Sequence, residues 1–115
     1  MARFEAAAYL PLTPAMFHVL VALADGEKHG YAVIKDVAHR TDGKVRLRAG
    51  TLYTVIRRFV DDGLIQESSV RPDPALDDER RRYYRLTERG RAVAVAEARR
   101  MADTLAQARA TLGTI

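Results

Sequence analysis

Apolar residues recur at the three-and-four spacing of one-sided helices in three stretches, residues 14–24, 30–40 and 49–61. Thr13 followed by Pro14 favours a helix start, because threonine caps free amides and proline at the first helical position loses no hydrogen bond. Gly26 and Gly63 are natural stops. We expect these apolar residues to face the core: Met16, Phe17, Leu20, Leu23 and Ala24, then Tyr31, Ile34, Val37 and Ala38, then Leu52, Val55, Ile56, Phe59 and Val60.

The pattern changes after the third predicted helix. Residues 64–70 and 82–86 read as two β-strands, and residues 71–81 between them carry two prolines and four acids, which predicts a hairpin with a long charged tip. Thr87 then offers a helix cap with Glu88 in the first turn, and a helix can run about 25 residues to Leu112 and Gly113. At ~1.5 Å per residue it is nearly 40 Å long, too long to be covered by so small a domain.

Three short helices followed by a β-hairpin are the element order of a winged helix-turn-helix, whose third helix enters the DNA major groove. The predicted fold class is therefore mainly α with a small β-hairpin. We expect a winged helix-turn-helix over residues 1–87 and a dimerisation helix over residues 88–115.

Composition narrows the class of protein. The 115 residues fit one domain, and 48% hydrophobic with 30% charged residues is normal for a folded globular chain. There is no cysteine, no apolar stretch approaching the ~20 residues of a membrane span and no leader-like start, so we expect a cytoplasmic protein without membrane contact. Of 19 basic residues only three are lysine, and arginine suits phosphate and guanine recognition.

The positive charge is concentrated before and within the third predicted helix. Residues 44–58, called the basic segment below, contain five bases and no acid, a local charge of +5 in a chain whose net charge is +4. Threonine, tyrosine and arginine alternate with the apolar positions of this helix, which leaves a polar, basic side for a partner. A merely solvated surface is the alternative.

Several motifs in one order resemble the PadR family of bacterial transcriptional regulators. They are His29-Gly30-Tyr31, Gly50-Thr51-Leu52-Tyr53, Asp62-Gly63-Leu64-Ile65 and the run from Arg82 to Arg91, within a match of about residues 12–92. The resemblance implies a winged-helix homodimer that binds an inverted-repeat operator in double-stranded DNA, usually as a repressor, with release by a small molecule or another signal. It also implies the short form of the family, with one C-terminal helix.

By position, the resemblance implies a close backbone approach to DNA at Gly50, DNA-facing side chains at Thr51, Tyr53 and Thr54, and backbone contacts from Arg57 and Arg58. Lys44, Arg46 and Arg48 of the basic segment join this candidate DNA-binding set. In the hairpin tip, Arg80, Arg81 and Arg82 are candidate phosphate or minor-groove contacts beside a solvated acidic run, with mobile surface as the alternative.

The last predicted helix carries a heptad seam. Its members recur at steps of 4, 3, 4, 3 and 4: Ala94, Ala98, Met101, Leu105, Ala108 and Leu112. Small residues at these positions allow a second copy of the helix to approach closely, so we expect a homodimer, with packing on its own domain as the alternative.

The sequence was also searched for residues that could bind a small molecule or a metal ion or carry out catalysis. Tyr9, Phe17 and Met101 are candidate walls for a small-molecule effector, although plain packing is the simpler role. The three histidines lie 11 and 10 residues apart, which does not fit a helical metal pair, and no catalytic motif or cofactor loop is present. We expect no enzyme, cofactor or metal site. The alternative to a DNA-binding regulator is a winged-helix module that binds an acidic protein.

Overall fold

Four α-helices and three short β-strands follow one another in the computed structural model, which describes residues 3–68 and 82–114. The helices are α1 Pro14–Ala24, α2 Gly30–Arg40, α3 Ala49–Asp61 and α4 Glu88–Leu112. The strands are β1 Lys28–His29, β2 Ile65–Ser68 and β3 Tyr83–Leu86, and a short 3-10 helix, Ala6–Tyr9, precedes α1. This confirms the predicted class, mainly helical with a small hairpin.

The helix boundaries follow from capping. The Thr13 hydroxyl accepts a hydrogen bond from the Met16 amide, and Pro14 occupies the first turn of α1. Thr87 caps α4 in the same way by accepting from the Gly90 amide. At the far end of α4, Gly113 has a φ of 77°, the left-handed conformation that favours glycine. The predicted start and end of α4 are both confirmed.

The sheet has one strand more than the pattern predicted. β2 and β3 form the expected antiparallel hairpin, with Ile65 opposite Leu86 and Ser68 opposite Tyr83. On the other edge of β3, β1 pairs Lys28 with Tyr84 and His29 with Tyr83, so the strand order is β1-β3-β2. Two polar residues are too few to show an alternating pattern, which is why β1 could not be predicted.

The core joins α1, α2, α3, the sheet and the start of α4. Its largest fully buried side chains are apolar except for Glu97: Val19, Leu20, Val33, Val37, Leu52, Phe59, Leu64, Ile65, Val93 and Glu97. α1 is buried more widely than the predicted one-sided stripe, because Val19 and Ala22 are buried together with Leu20 and Leu23. Val60, expected to face inward, lies partly exposed at the edge of α3.

Of the four residues of α2 predicted to face inward, Val37 is buried, Ile34 and Ala38 are partly buried, and the prediction is wrong for Tyr31. Tyr31 is 56% exposed, whereas Gly30, Val33 and Val37 are buried. Gly30 faces α3, and the ring of Tyr53 occupies the space beside it. The helix is therefore rotated so that its smallest residue lies at the closest contact.

The start of α4 is held tightly against residues 63 and 64, which connect α3 to β2. The Thr87 hydroxyl donates to the Gly63 carbonyl at 2.6 Å, and the Thr87 amide donates to the Leu64 carbonyl at 3.1 Å. A β-carbon at Gly90 would overlap the same Leu64 carbonyl oxygen and the Leu86 side chain. Glycine at position 90 therefore allows α4 to begin directly against the hairpin.

We predict that Gly90→Ala destabilises the fold by about 1–3 kcal/mol, because the added methyl group meets backbone that cannot move independently. Urea unfolding measures the loss. Gly50→Ala is the matched control, since a β-carbon there meets nothing within 4 Å, and alanine in a helix is favoured by up to about 1 kcal/mol. Equal stability of Gly90→Ala and wild-type protein would contradict the close contact.

Candidate nucleic-acid interface

α3 has one buried and one exposed side. Leu52, Val55, Ile56 and Phe59 are buried in the core. The opposite side is solvent-exposed and polar or basic: Gly50, Thr51, Thr54, Arg57 and Arg58. The Thr54 hydroxyl donates to the Gly50 carbonyl at 2.9 Å, so its oxygen still has room to accept. The structure thus brings five of the six predicted α3 residues to one surface, and the sixth, Tyr53, lies at its edge beside Gly30 of α2.

The segment between α2 and α3 carries the other three bases of the basic segment. Leu47 is buried and anchors the segment, while Lys44, Arg46 and Arg48 are exposed. Thr41 fixes the turn, because its hydroxyl donates to the Val37 carbonyl at 2.8 Å and accepts from the Val45 amide at 3.0 Å. These three cations therefore lie on the surface that leads into α3.

Within the described residues, four of the five bases of the basic segment form no ion pair: Lys44, Arg46, Arg48 and Arg57. Arg58 has only a long contact with Asp62, at 3.9 Å. Elsewhere in the same part of the chain, arginines have close carboxylate partners, as Arg40 has with Asp25 and Asp36 at 2.6 Å each. The positive charge of the basic segment is therefore available to an anionic partner.

A groove separates α3 from the hairpin. Its volume is about 710 Å³, and its walls combine aromatic, apolar and charged side chains: Tyr53, Ile56, Arg57, Val60, Asp61, Glu67, Arg82 and Tyr84. Burial, followed by the nearby Glu67 carboxylate, raises the pKa of the Tyr84 phenol. Glu67 and Tyr84 were not predicted as site residues, because the hairpin register that brings them to α3 cannot be read from their own positions. Val60 was predicted to face the core, but it lies partly exposed at the edge of α3.

In the described part of the wing, which is the hairpin of β2 and β3, two arginines have side-chain partners. Arg82 is exposed, and its guanidinium contacts the Glu67 carboxylate at 3.3 Å across the hairpin. Arg85 donates to the Gln66 side chain at 2.7 Å. Arg80 and Arg81, the other two predicted wing contacts, lie outside the described residues.

The second half of α4 is exposed along the heptad seam. Leu105 is 43% and Leu112 65% exposed, and Ala98 and Met101 are exposed with them. Ala94 differs, because it packs against the core of its own domain next to the buried Val93. Ala108 is half-buried. The solvent-exposed part of the heptad seam therefore begins at Ala98.

The N-terminal segment covers the first half of α4. The Glu97 side chain is 1% exposed, accepts from the Leu12 amide at 2.6 Å and pairs with Arg100. Closer to the start of α4, the Arg89 guanidinium lies over the Phe4 ring, 4.9 Å from its centre. Residues 4–12 thus have a packing role that the sequence pattern did not reveal.

The three residues predicted to line an effector site do not form one described cavity. Tyr9 is half-buried beside the Phe4 ring, at 6.0 Å between ring centres, and Phe17 contacts the His18 ring at 5.8 Å. Met101 is exposed on α4. The groove beside α3 contains none of these three side chains.

Comparison with protein families gives a match to the transcriptional regulator PadR-like family over residues 19–96. The chain belongs to the PadR-like family. It is 36% identical over 90 residues to "Transcriptional regulator Rv3488" of Mycobacterium tuberculosis, a match that covers 78% of this chain and 77% of that protein. PadR-like proteins and this relative are transcriptional regulators, not enzymes.

Solved structures show the same fold. A transcriptional regulator from Clostridium thermocellum has a TM-score of 0.69 at 23% identity, with 83% of this chain and 86% of that chain covered. A PadR family transcription regulator from Clostridium difficile R20291 has a TM-score of 0.68 at 19% identity, with 89% and 100% covered. The fold of this PadR-like chain is thus the winged-helix DNA-binding fold.

The described residues of this PadR-like chain were compared with the requirements of a metal site and of a membrane span. Among residues 3–68 and 82–114, no group of three or more histidine and acidic side chains is placed to hold a metal ion. In the same part of the chain, no helix has both the length and the apolar character needed to cross a bilayer.

We predict a pH-dependent stability that originates at Glu97. Hydrogen bonds from Arg100 and the Leu12 amide lower the pKa of this carboxyl below its ordinary value, although burial acts in the opposite direction. A depressed pKa stabilises the fold above the unfolded value of about 4.3, and this contribution is lost as the pH falls through the folded value. Urea unfolding between pH 7 and pH 3 should show the decline.

In Glu97→Gln the part of this decline that comes from position 97 should disappear, and stability at pH 7 should be lower. Asp103→Asn is the control, because Asp103 is an exposed acid in the middle of the same helix. Parallel pH profiles for Glu97→Gln and wild-type protein would contradict the role of Glu97.

Proposed function

We propose that this PadR-like regulator binds double-stranded DNA sequence-specifically as a homodimer, with α3 in the major groove, and represses transcription from an inverted-repeat operator. The observation that carries the proposal is the exposed side of α3, which is polar, basic and without close ion pairs among the described residues. Because the buried side fixes the rotation of α3, its outward side is preorganised for one partner surface.

The proposed contacts divide by chemistry. Thr51 and Thr54 can reach base edges, and Gly50 allows close approach, since it is exposed with open space at its β-carbon position. Arg57, Arg58 and the three bases before α3 are placed for phosphates. Tyr53 lies at the border between this surface and the groove. Arg80, Arg81 and Arg82 of the wing are proposed for phosphate or minor-groove contact.

Homodimerisation is proposed through the seam on α4. A single small winged domain has too little surface for the affinity of a specific regulator, typically about 10⁻⁸–10⁻¹¹ M. The exposed apolar side chains from Met101 to Leu112 supply a second-copy interface, while α4 up to Glu97 belongs to its own domain's core. Two-fold symmetry then predicts half-sites about one or two helical turns apart.

Release by a small molecule is the remaining part of the proposal, with Tyr9, Phe17 and Met101 as the candidate wall. Tyr9 and Phe17 are half-buried, and Met101 is exposed on α4. A thermal-shift screen of aromatic and cationic compounds, followed by release from DNA, tests this role.

We predict that Arg57→Gln lowers affinity for all DNA sequences without unfolding the protein, because Arg57 is exposed and unpaired within the described residues. Loss of one phosphate contact should reduce the slope of log affinity against log salt by about 0.9. Fluorescence anisotropy with DNA from upstream of its own gene, between 50 and about 200 mM salt, measures both effects.

Arg99→Gln removes the same charge from an exposed position on α4 and should leave affinity and slope nearly unchanged. Equal effects of the two substitutions would show that net charge, and not α3, determines binding. Tight binding of an acidic protein without any salt-sensitive DNA complex would instead favour the protein-interaction module.

We predict that Leu105→Asp converts the dimer to monomers at micromolar concentration and weakens DNA binding, because it places a charge in a desolvated interface. Sedimentation velocity measures the assembly. Ala110→Asp adds the same charge to an exposed position off the seam and should stay dimeric. A dimeric Leu105→Asp protein with unchanged DNA affinity would exclude the seam as the interface.

A further inference from the structure

We propose that the Glu67 carboxylate competes with DNA phosphate for the guanidinium of Arg82, and so limits how strongly the wing holds DNA. Glu67 lies in β2, and Arg82 immediately precedes β3. The inference deepens the DNA-binding function proposed above and rests on it. It assigns a role to an acidic residue that the sequence pattern did not single out.

The hairpin register places the two side chains on the same side of the sheet. Glu67 lies opposite Tyr84, and Ser68 lies opposite Tyr83. Arg82 is therefore the diagonal neighbour of Glu67, at a separation that long side chains bridge. Residues two apart in a strand share one side, so Arg82 follows the buried Tyr84 on the side that lines the groove beside α3.

In the free protein, the Arg82 guanidinium already has an anionic partner. Its Nη1 lies 3.3 Å from Oε1 and 3.4 Å from Oε2 of Glu67. Both side chains remain open to solvent, with 56% of the Arg82 and 40% of the Glu67 side chain exposed. Carboxylate and phosphate use the same guanidinium N–H groups. A phosphate that approaches Arg82 therefore either displaces the carboxylate or lies beside a like charge, and both lower its affinity.

The groove between α3 and the wing contains a second acid. Asp61 lines it from the α3 side and forms no ion pair within the described residues. Its lining thus combines two carboxylates with the guanidiniums of Arg57 and Arg82, whereas the basic segment contains no acid. Phosphate is therefore less favoured at the wing side of the groove than on the outward side of α3.

The exposure of the pair sets the size of the effect. An exposed ion pair contributes little in water, so we expect Glu67 to reduce DNA affinity about two- to fivefold. Phosphate contacts carry no sequence information. The reduction should therefore be the same for a specific site and for unrelated DNA.

A double-mutant cycle over Glu67 and Arg82 tests the competition. Fluorescence anisotropy at one fixed salt concentration compares the duplex from upstream of its own gene with an unrelated duplex of equal length. Glu67→Gln should tighten binding of both duplexes about two- to fivefold when Arg82 is present, and have little effect in the Arg82→Gln background. Unchanged affinity of Glu67→Gln, or an equal gain in both backgrounds, would overturn the competition.

Two further variants separate the ion pair from charge alone. Asp61→Asn removes the same charge from the α3 side of the groove, and Asp103→Asn removes it from an exposed position on α4. Both should raise affinity less than Glu67→Gln, and by the same factor with or without Arg82. Gains equal to that of Glu67→Gln would assign the effect to net charge and overturn the role of Glu67.

Failure of the inference and failure of the proposed function give different results. If wild-type protein binds DNA and the cycle shows no coupling between positions 67 and 82, only the competition is wrong. If neither wild-type protein nor Glu67→Gln binds any duplex, the proposed function fails and the competition fails with it. Because Glu67 and Arg82 are exposed, the urea midpoints of all variants should match that of wild-type protein.

Discussion

Burial of one side of α3 is the interaction on which the rest of the molecule depends. Leu52, Ile56 and Phe59 are inserted between α1, α2 and the sheet, and each contributes about 1.5–3 kcal/mol by leaving water. Because these side chains lie on one side of the helix, their burial places Thr54 and Arg57 on the side that faces solvent. The candidate DNA-binding surface is thus a consequence of core packing.

Two close backbone contacts then locate the other elements relative to α3. Gly30 lets α2 begin against Tyr53, and Gly90 lets α4 begin against the carbonyl of Leu64. Between them, β1 joins α2 to the wing through β3. α3, the wing and the start of α4 therefore form one packed unit.

Local signals in the sequence predicted most of the fold. Thr13, Thr87 and Gly113 act within a few residues of themselves, so the ends of α1 and α4 could be read directly. The PadR resemblance, based on several motifs in order, is confirmed by the family match over residues 19–96. The exposed position of the α3 residues followed from the helical spacing of its apolar partners.

The missed features depend on contacts between distant residues. Glu97 is buried because the Leu12 amide, 85 residues away, completes its hydrogen bonds. Tyr31 is exposed because Gly30, its neighbour, meets a ring from α3. β1 exists because β3 offers it a free edge. The spacing of apolar residues within a single helix or strand therefore predicts none of these three features.

The most direct measurement is selection of bound DNA from a random-sequence library by the full-length protein, followed by sequencing. The account predicts enrichment of an inverted repeat whose half-site centres lie about 10 or 20 base pairs apart, as a two-fold dimer with one α3 per major groove requires. Bound DNA without any shared motif, or a single half-site without symmetry, would contradict a dimeric, sequence-specific regulator.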